Sequence, residues 1–130
     1  MTIFYIILMS KKPFKQEYTF EDRCCETNRI LIKYPDRIPV VCEKANQKNL
    51  PDIDKKKYLV PWGITIGQFI YVIRKRMSLK PEEAIFLFIG KSMYSSCSVI
   101  GELYNSNKDD DGFLYIQYSK ENTFGTNLYV

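Results

Sequence analysis

Apolar residues recur along this chain in two rhythms, one of period about 3.6 and one of runs that suit extended strands. Phe20, Cys24, Thr27, Leu31 and Tyr34 follow one another at spacings of four, three, four and three, the stripe of a helix. Thr19 stands before it as an N-cap, Glu21 and Asp22 put acid into the first turn, and Pro35 stops it. Upstream, Pro13 to Tyr18 predicts a short separate basic helix. Ile38-Pro-Val-Val-Cys42 is a β-branched run suited to a strand, with Pro39 near its beginning. Asn46 to Asp54 is polar and turn-rich, and Lys57-Tyr-Leu-Val-Pro61 reads as a second short strand before a loop shaped by Gly63. Thr65-Ile-Gly-Gln68 is a capping box, and Phe69, Ile70, Val72, Ile73 and Met77 carry the helix that follows. After a turn at Pro81, Ala84-Ile-Phe-Leu-Phe-Ile89 predicts a third, fully buried strand. Ile100 to Tyr104 predicts a short helix, Asp109-Asp-Asp-Gly112 a turn, and Phe113-Leu-Tyr-Ile-Gln-Tyr118 the last strand.

The order from Ile38 onward is therefore β-β-α-β-(short α)-β, an α+β arrangement. It matches a ubiquitin-like β-grasp: a mixed four-stranded sheet with a packed helix, here carrying an N-terminal helical extension. The chain divides accordingly into an atypical apolar segment (1–10), the helical extension (11–36), the β-grasp domain (37–119) and a C-terminal tail (120–130). No internal repeat or low-complexity linker interrupts it.

The length of 130 residues suits one core, and ten Tyr, eight Phe and one Trp supply ample surface to bury. The chain has no histidine, which removes Ser-His and Cys-His nucleophile pairs, an imidazole base and mixed Cys/His zinc sites. No cofactor is expected. The four cysteines, Cys24, Cys25, Cys42 and Cys97, form no C-x-x-C, and they read as reduced thiols packed as small hydrophobes. Net charge is +4 but uneven: residues 1–80 hold 16 basic and 8 acidic side chains, residues 81–130 hold 3 and 7. That split is either a solvated dipole or a basic N-terminal face for anionic partners.

Met1 to Met9 is apolar, yet too short to span a bilayer, and its lysines, Lys11 and Lys12, follow the apolar run instead of preceding it. It packs as an extra element, stays exposed to bind something apolar, or is absent because translation starts at Met9.

Five ordered strings resemble a known family, the autophagy ubiquitin-like modifiers. They are Lys33-Tyr-Pro-Asp-Arg-Ile-Pro-Val40; Asp54-Lys-Lys-Lys-Tyr-Leu-Val-Pro61; Gly67-Gln-Phe69 with Ile73-Arg-Lys-Arg76; Asp111-Gly-Phe-Leu-Tyr115; and Glu121-Asn-Thr-Phe-Gly125. The resemblance spans Lys12 to Val130. The middle is closest to the GABA-receptor-associated and yeast-type branch. Pro13-Phe-Lys-Gln16 and the Phe124-Gly125 tail look more like microtubule-associated protein light chain 3.

The resemblance implies that the chain is a substrate and not an enzyme. A cysteine protease would remove Thr126 to Val130, exposing the Gly125 carboxylate. Ubiquitin-like activating and conjugating enzymes would then pass that carboxylate to phosphatidylethanolamine, moving a cytoplasmic protein onto the autophagosome membrane. A glycine without Cβ threads a narrow enzyme channel, and its carboxyl is easy to reach. The family also takes aromatic-x-x-aliphatic peptides of cargo receptors and adaptors on an edge strand, using two apolar pockets. By motif position the aromatic pocket involves Glu26, Ile30, Pro39, Val41, Lys57, Leu59 and Phe113. The aliphatic pocket involves Tyr58, Val60, Pro61, Phe69, Val72 and Ile73. Lys55, Lys56 and Arg76, with Lys57, would attract acidic residues flanking such peptides. Read without the family, these apolar positions are ordinary core and the lysine run a solvated face.

The basic start around Phe14 (Lys11, Lys12, Lys15) suits tubulin or an anionic membrane, and no aromatic pair or Gly-rich loop supports nucleic-acid recognition. The rival readings are an unconjugated β-grasp peptide-binding adaptor and a microtubule- or RNA-binding one. Three departures from the family stand out: Trp62 replaces a small or acidic residue, Cys24-Cys25 replaces polar ones, and Thr2 to Leu8 has no counterpart.

Overall fold

A computed structural model describes residues 12–45 and 51–120; the expectations for residues 1–11, for most of the Asn46–Asp54 turn, and for Phe124 and Gly125 lie outside them. Helix α1 (Phe14–Glu17) is followed by α2 (Phe20–Lys33), β1 (Arg37–Lys44), β2 (Lys57–Pro61), α3 (Ile66–Arg74), β3 (Phe86–Ile89), β4 (Ser92–Met93), α4 (Ile100–Asn107) and β5 (Leu114–Ser119). The sheet has five strands in the order β2-β1-β5-β3-β4, which corrects the expected four. The extra strand is two residues long and exposed, pairing Met93 with Phe88 and Ser92 with Ile89. Only β1 and β5 run parallel; their pairing starts at Val40 opposite Leu114. Pro39 lies just before that point, so its missing N–H removes no bond from the β5 side.

Two apolar layers hold the sheet. One face (Ile38, Val40, Cys42, Tyr58, Val60, Leu114, Ile116, Tyr118) packs on Ile66, Phe69 and Ile73 of α3 and on Ile100 and Tyr104 of α4. On the other, Val41 and Phe113 are covered by Phe14 of α1, with Tyr115 alongside. The Phe14 and Phe113 rings meet edge-to-face at 5.2 Å. Both predicted caps form. Thr19 Oγ1 accepts from Asp22 N–H at 3.1 Å, and Thr65 and Gln68 exchange the two bonds of a capping box.

The buried face of α2 differs from the predicted stripe. It is centred on Arg23, Thr27 and Ile30, while Phe20 and Tyr34 are exposed. The cause is a charge on the opposite side. Asp111, 1% exposed, holds its Oδ2 3.3 Å from Arg23 Nε, and Thr27 Oγ1 donates to the Asp111 carbonyl at 2.5 Å. The same carboxylate accepts from Phe113 N–H at 2.9 Å and from the Tyr115 hydroxyl at 2.5 Å. Burial and the Asp111 charge push the Tyr115 phenol far above its ordinary value. Gly112 makes the turn possible: its φ is +94°, and an added Cβ would stand 2.5 Å from Thr27 Oγ1. All four cysteines are free thiols; Cys42 is buried and Cys24 half-buried as packing residues, whereas Cys25 and Cys97 are exposed.

Candidate peptide-binding edge

Strand β2 lies at the sheet edge. It pairs antiparallel with β1, Leu59 opposite Pro39 and Lys57 opposite Val41. In such a pair the ladder bonds fall on alternate residues. The flanking bonds from Cys42 N–H to Lys56 O (2.8 Å) and from Trp62 N–H to Asp36 O (3.2 Å) set the phase. The N–H and C=O groups of Lys57 and Leu59 therefore point away from the sheet. Two outward carbonyls already have donors: Leu59 O accepts from Arg37 Nη1 at 3.5 Å, and Pro61 O from Ile64 N–H at 3.2 Å. What remains for a guest is short, namely both groups of Lys57 and the N–H of Leu59.

The two faces of this edge differ. On one, Leu59 is 36% exposed beside Lys57, whose ammonium pairs with Glu26 of α2. Pro39 and Ile30 are buried nearby, while Val41 and Phe113 lie deeper, beneath Phe14. Of the expected aromatic pocket, Leu59, Lys57 and Glu26 thus carry accessible surface, and the others form its floor or the core.

On the other face an open groove of about 580 Å³ is lined by Pro61, Gly63, Ile64, Gly67, Gln68, Tyr71 and Val72. Pro61 and Val72 belong to the expected aliphatic set. Tyr58 and Val60 are buried, and Phe69 and Ile73 are fully enclosed behind the groove. Tyr58 packs edge-to-face on Phe69 at 5.4 Å. Its buried hydroxyl has no hydrogen-bond partner among the described residues, and burial pushes its pKa far up. Sequence reasoning missed Gly63, Ile64, Gly67, Gln68 and Tyr71. Positions 64, 67, 68, 71 and 72 nevertheless have the i, i+3, i+4, i+7, i+8 spacing of one helix face, a signal masked by their small and polar members.

The basic residues divide by partner. Lys56 donates to Lys12 O and pairs with Glu43 (3.3 Å) and Glu17 (3.7 Å), so it ties α1 to the sheet. Arg76 pairs with Asp54 at 3.0 Å. Lys55 lies 5.4 Å over the Tyr58 ring and has no ion pair among the described residues. Trp62, at the end of β2, lies flat on α4: a Cβ on Gly101 would come within 2.2 Å of its indole.

A β-grasp sheet with a helical N-terminal extension and a peptide-sized edge defines a ubiquitin-like protein. The family described as "Autophagy protein Atg8 ubiquitin like" matches residues 22–125. Autophagy-related protein 8 of Mycosarcoma maydis is 55% identical over 115 residues, covering 88% of this chain and 98% of that protein. Autophagy-related protein 8B of Oryza sativa subsp. indica is 55% identical over 117 residues, 90% and 98%. Among solved structures, Trypanosoma brucei ATG8 superposes with a TM-score of 0.80 at 38% identity, covering 88% of this chain and 99% of that one. Plasmodium falciparum Atg8 in complex with a P. falciparum Atg3 peptide gives 0.76 at 40%, covering 85% and 97%.

The chain belongs to the Atg8 family. It is an autophagy ubiquitin-like modifier, a member of a family that is conjugated and does not catalyse, and lipid conjugation follows from that membership.

Proposed function

We propose that this chain is cut after Gly125 by a cysteine protease and joined through that glycine to phosphatidylethanolamine on autophagosomal membranes. There its β2 edge collects cargo receptors and adaptors bearing aromatic-x-x-aliphatic motifs. The observation that carries the binding half is the juxtaposition of the Lys57–Leu59 edge groups with the Pro61–Val72 groove. An extended peptide can hydrogen-bond to the first and seat an aliphatic side chain in the second. Leu59, Lys57 and Glu26 take the aromatic end. Lys55 attracts acidic flanks, and Arg76 does so by exchanging Asp54 for a peptide carboxylate. Activating and conjugating enzymes handle the tail. The complex of the Plasmodium protein with an Atg3 peptide supports a conjugating enzyme as a partner of this chain too. Tubulin is a further partner for the basic start around Lys12 and Lys15.

Among the described residues no helix is long and apolar enough to cross a membrane; in this reading the conjugated lipid, with its two acyl chains, is the anchor. The test is incubation of the full chain and Gly125→Ala with cell extract, followed by mass spectrometry of the C-terminus and flotation with membranes. Release of Thr126 to Val130 and flotation are expected from the native chain alone. Equal membrane association of both would leave an unconjugated adaptor as the reading.

A further inference from the structure

We propose that the cleft between α2 and α4 is a second docking surface, one that takes a basic amphipathic helix of a partner protein. It is separate from the β2 edge and does not depend on how that edge is used.

Helix α2 carries more apolar surface than the sheet covers. The Arg23–Asp111 pair rolls the helix so that Arg23, Thr27 and Ile30 face inward. The apolar stripe in its sequence is thereby turned sideways: Phe20 is 48% exposed, and Cys24 and Leu31 are only half-buried. Beside them lies an open cleft of about 510 Å³, within the range of about 300–1,000 Å³ usual for ligand sites. Cys24, Asn28 and Leu31 form one wall; Tyr104 of α4 and the 109–112 turn form the other. Glu26 and Ile30 lie on the opposite flank of α2, toward β2, where Glu26 pairs with Lys57. The two surfaces can therefore be occupied at once.

The charges around the cleft select the guest. Asp109 and Asp111 are already matched, by Lys15 at 2.7 Å and by Arg23 at 3.3 Å. Asp110, exposed in the same turn, has no ion pair among the described residues. Neither has Glu21, which helical spacing puts in one row with Cys24, Asn28 and Leu31. Against these two free carboxylates stands Lys108, laid over the Tyr104 ring at 5.5 Å. A guest with an apolar face and lysines or arginines along its margins complements this arrangement. Its apolar side covers Cys24, Leu31 and the Tyr104 ring, and its cations reach Asp110 and Glu21.

The backbone selects the guest's form. An extended guest finds little to bond here. The Asp111 and Gly112 carbonyls already accept from the Thr27 and Tyr104 hydroxyls, and the Gly112 and Phe113 N–H groups donate within the turn. A helix needs no such bonds, because it satisfies its own. Laid along α2, which is 14 residues and about 21 Å long, it keeps one apolar stripe in the cleft.

The test titrates the isotope-labelled full chain by NMR with two peptides of the same length as α2. One is leucine and lysine, patterned to be amphipathic as a helix; its twin has glutamate for lysine. The lysine peptide should shift the amides of Cys24, Asn28, Leu31 and Gly112 and leave those of Lys57 and Leu59 in place. The glutamate twin should shift none of the cleft amides. Asp110→Lys, at an exposed position, should weaken the lysine peptide about tenfold with an unchanged melting temperature. No shift at about 1 mM lysine peptide, shifts centred on β2, or equal binding by the two peptides would overturn the proposal. Full affinity in Asp110→Lys would overturn it as well. So would shifts of the cleft amides on raising the protein concentration without peptide, which would make a second copy of this chain the guest.

Discussion

Replacing Asp111 by Ala removes the partner that Arg23 depends on inside the protein. Arg23 is 8% exposed, and its Nε and Nη1 make no hydrogen bond among the described residues; the Asp111 carboxylate at 3.3 Å is what offsets its buried charge. Breaking a buried pair from one side costs about 3–5 kcal/mol. Phe113 N–H and the Tyr115 hydroxyl lose their acceptor at the same time, each worth about 1 kcal/mol or more, although these losses overlap. Asp111→Ala should therefore lose about 4–5 kcal/mol, a large share of the 5–15 kcal/mol typical of a domain. Removing both charges with Arg23→Met/Asp111→Ala should be less harmful than Asp111→Ala alone, because no charge is left stranded. Urea unfolding followed by circular dichroism gives the four stabilities of the cycle. A loss below about 1 kcal/mol for Asp111→Ala, or single effects that add within about 0.5 kcal/mol, would refute the reasoning.

Three further outcomes are expected. Gly101→Ala pushes a methyl into the Trp62 indole and should cost about 1–2 kcal/mol after the better helix propensity of Ala is counted, with a red shift of the single tryptophan's emission; an unmoved spectrum would contradict the packing. Leu59→Ala should weaken an acidic Trp-x-x-Leu peptide about tenfold in calorimetry while leaving the melting temperature nearly unchanged, and Gln68→Ala at the groove rim should change affinity far less. Asp109 is half-buried, which opposes ionisation, but the Lys15 ammonium 2.7 Å away and the Asp111 N–H win and hold its carboxyl below the ordinary 3.8. Its contribution is thus complete above pH 3.8 and lost as pH falls through the lowered value, so stability should be flat in this term from pH 5 to 7 and drop in acid. Asp109→Asn should shrink that acid drop.

Much of this fold is legible without coordinates because its local rules agree with its packing. Thr19 and the Thr65–Gln68 box cap the helices that the stripes predict, and Lys57–Pro61 is found as the strand that the flanking turn signals bound. Three features are not legible in the same way. Ser92–Met93 is too short and polar to carry a pattern, and it pairs only because β3 leaves it an edge. Arg23 counts as an outward residue until Asp111, far along the chain, is brought beneath it. Phe69 and Ile73 look like pocket residues by motif position, yet the structure closes them behind Gln68, Tyr71 and Val72 on the outer side of the same helix. Only for Arg23 is the deciding partner distant in sequence; the other two features turn on near neighbours whose pairing or exposure no local pattern encodes.

The donors on the Leu59 and Pro61 carbonyls bear on how copies of this protein behave when crowded on a membrane. An open sheet edge invites its twin, and a long row of vacant groups would let neighbours zip together into a ladder. Here Arg37 and Ile64 interrupt the row after a few groups. The edge can hold a short guest, but it gives an identical neighbour too little to grip, so a dense coat remains a set of separate hooks.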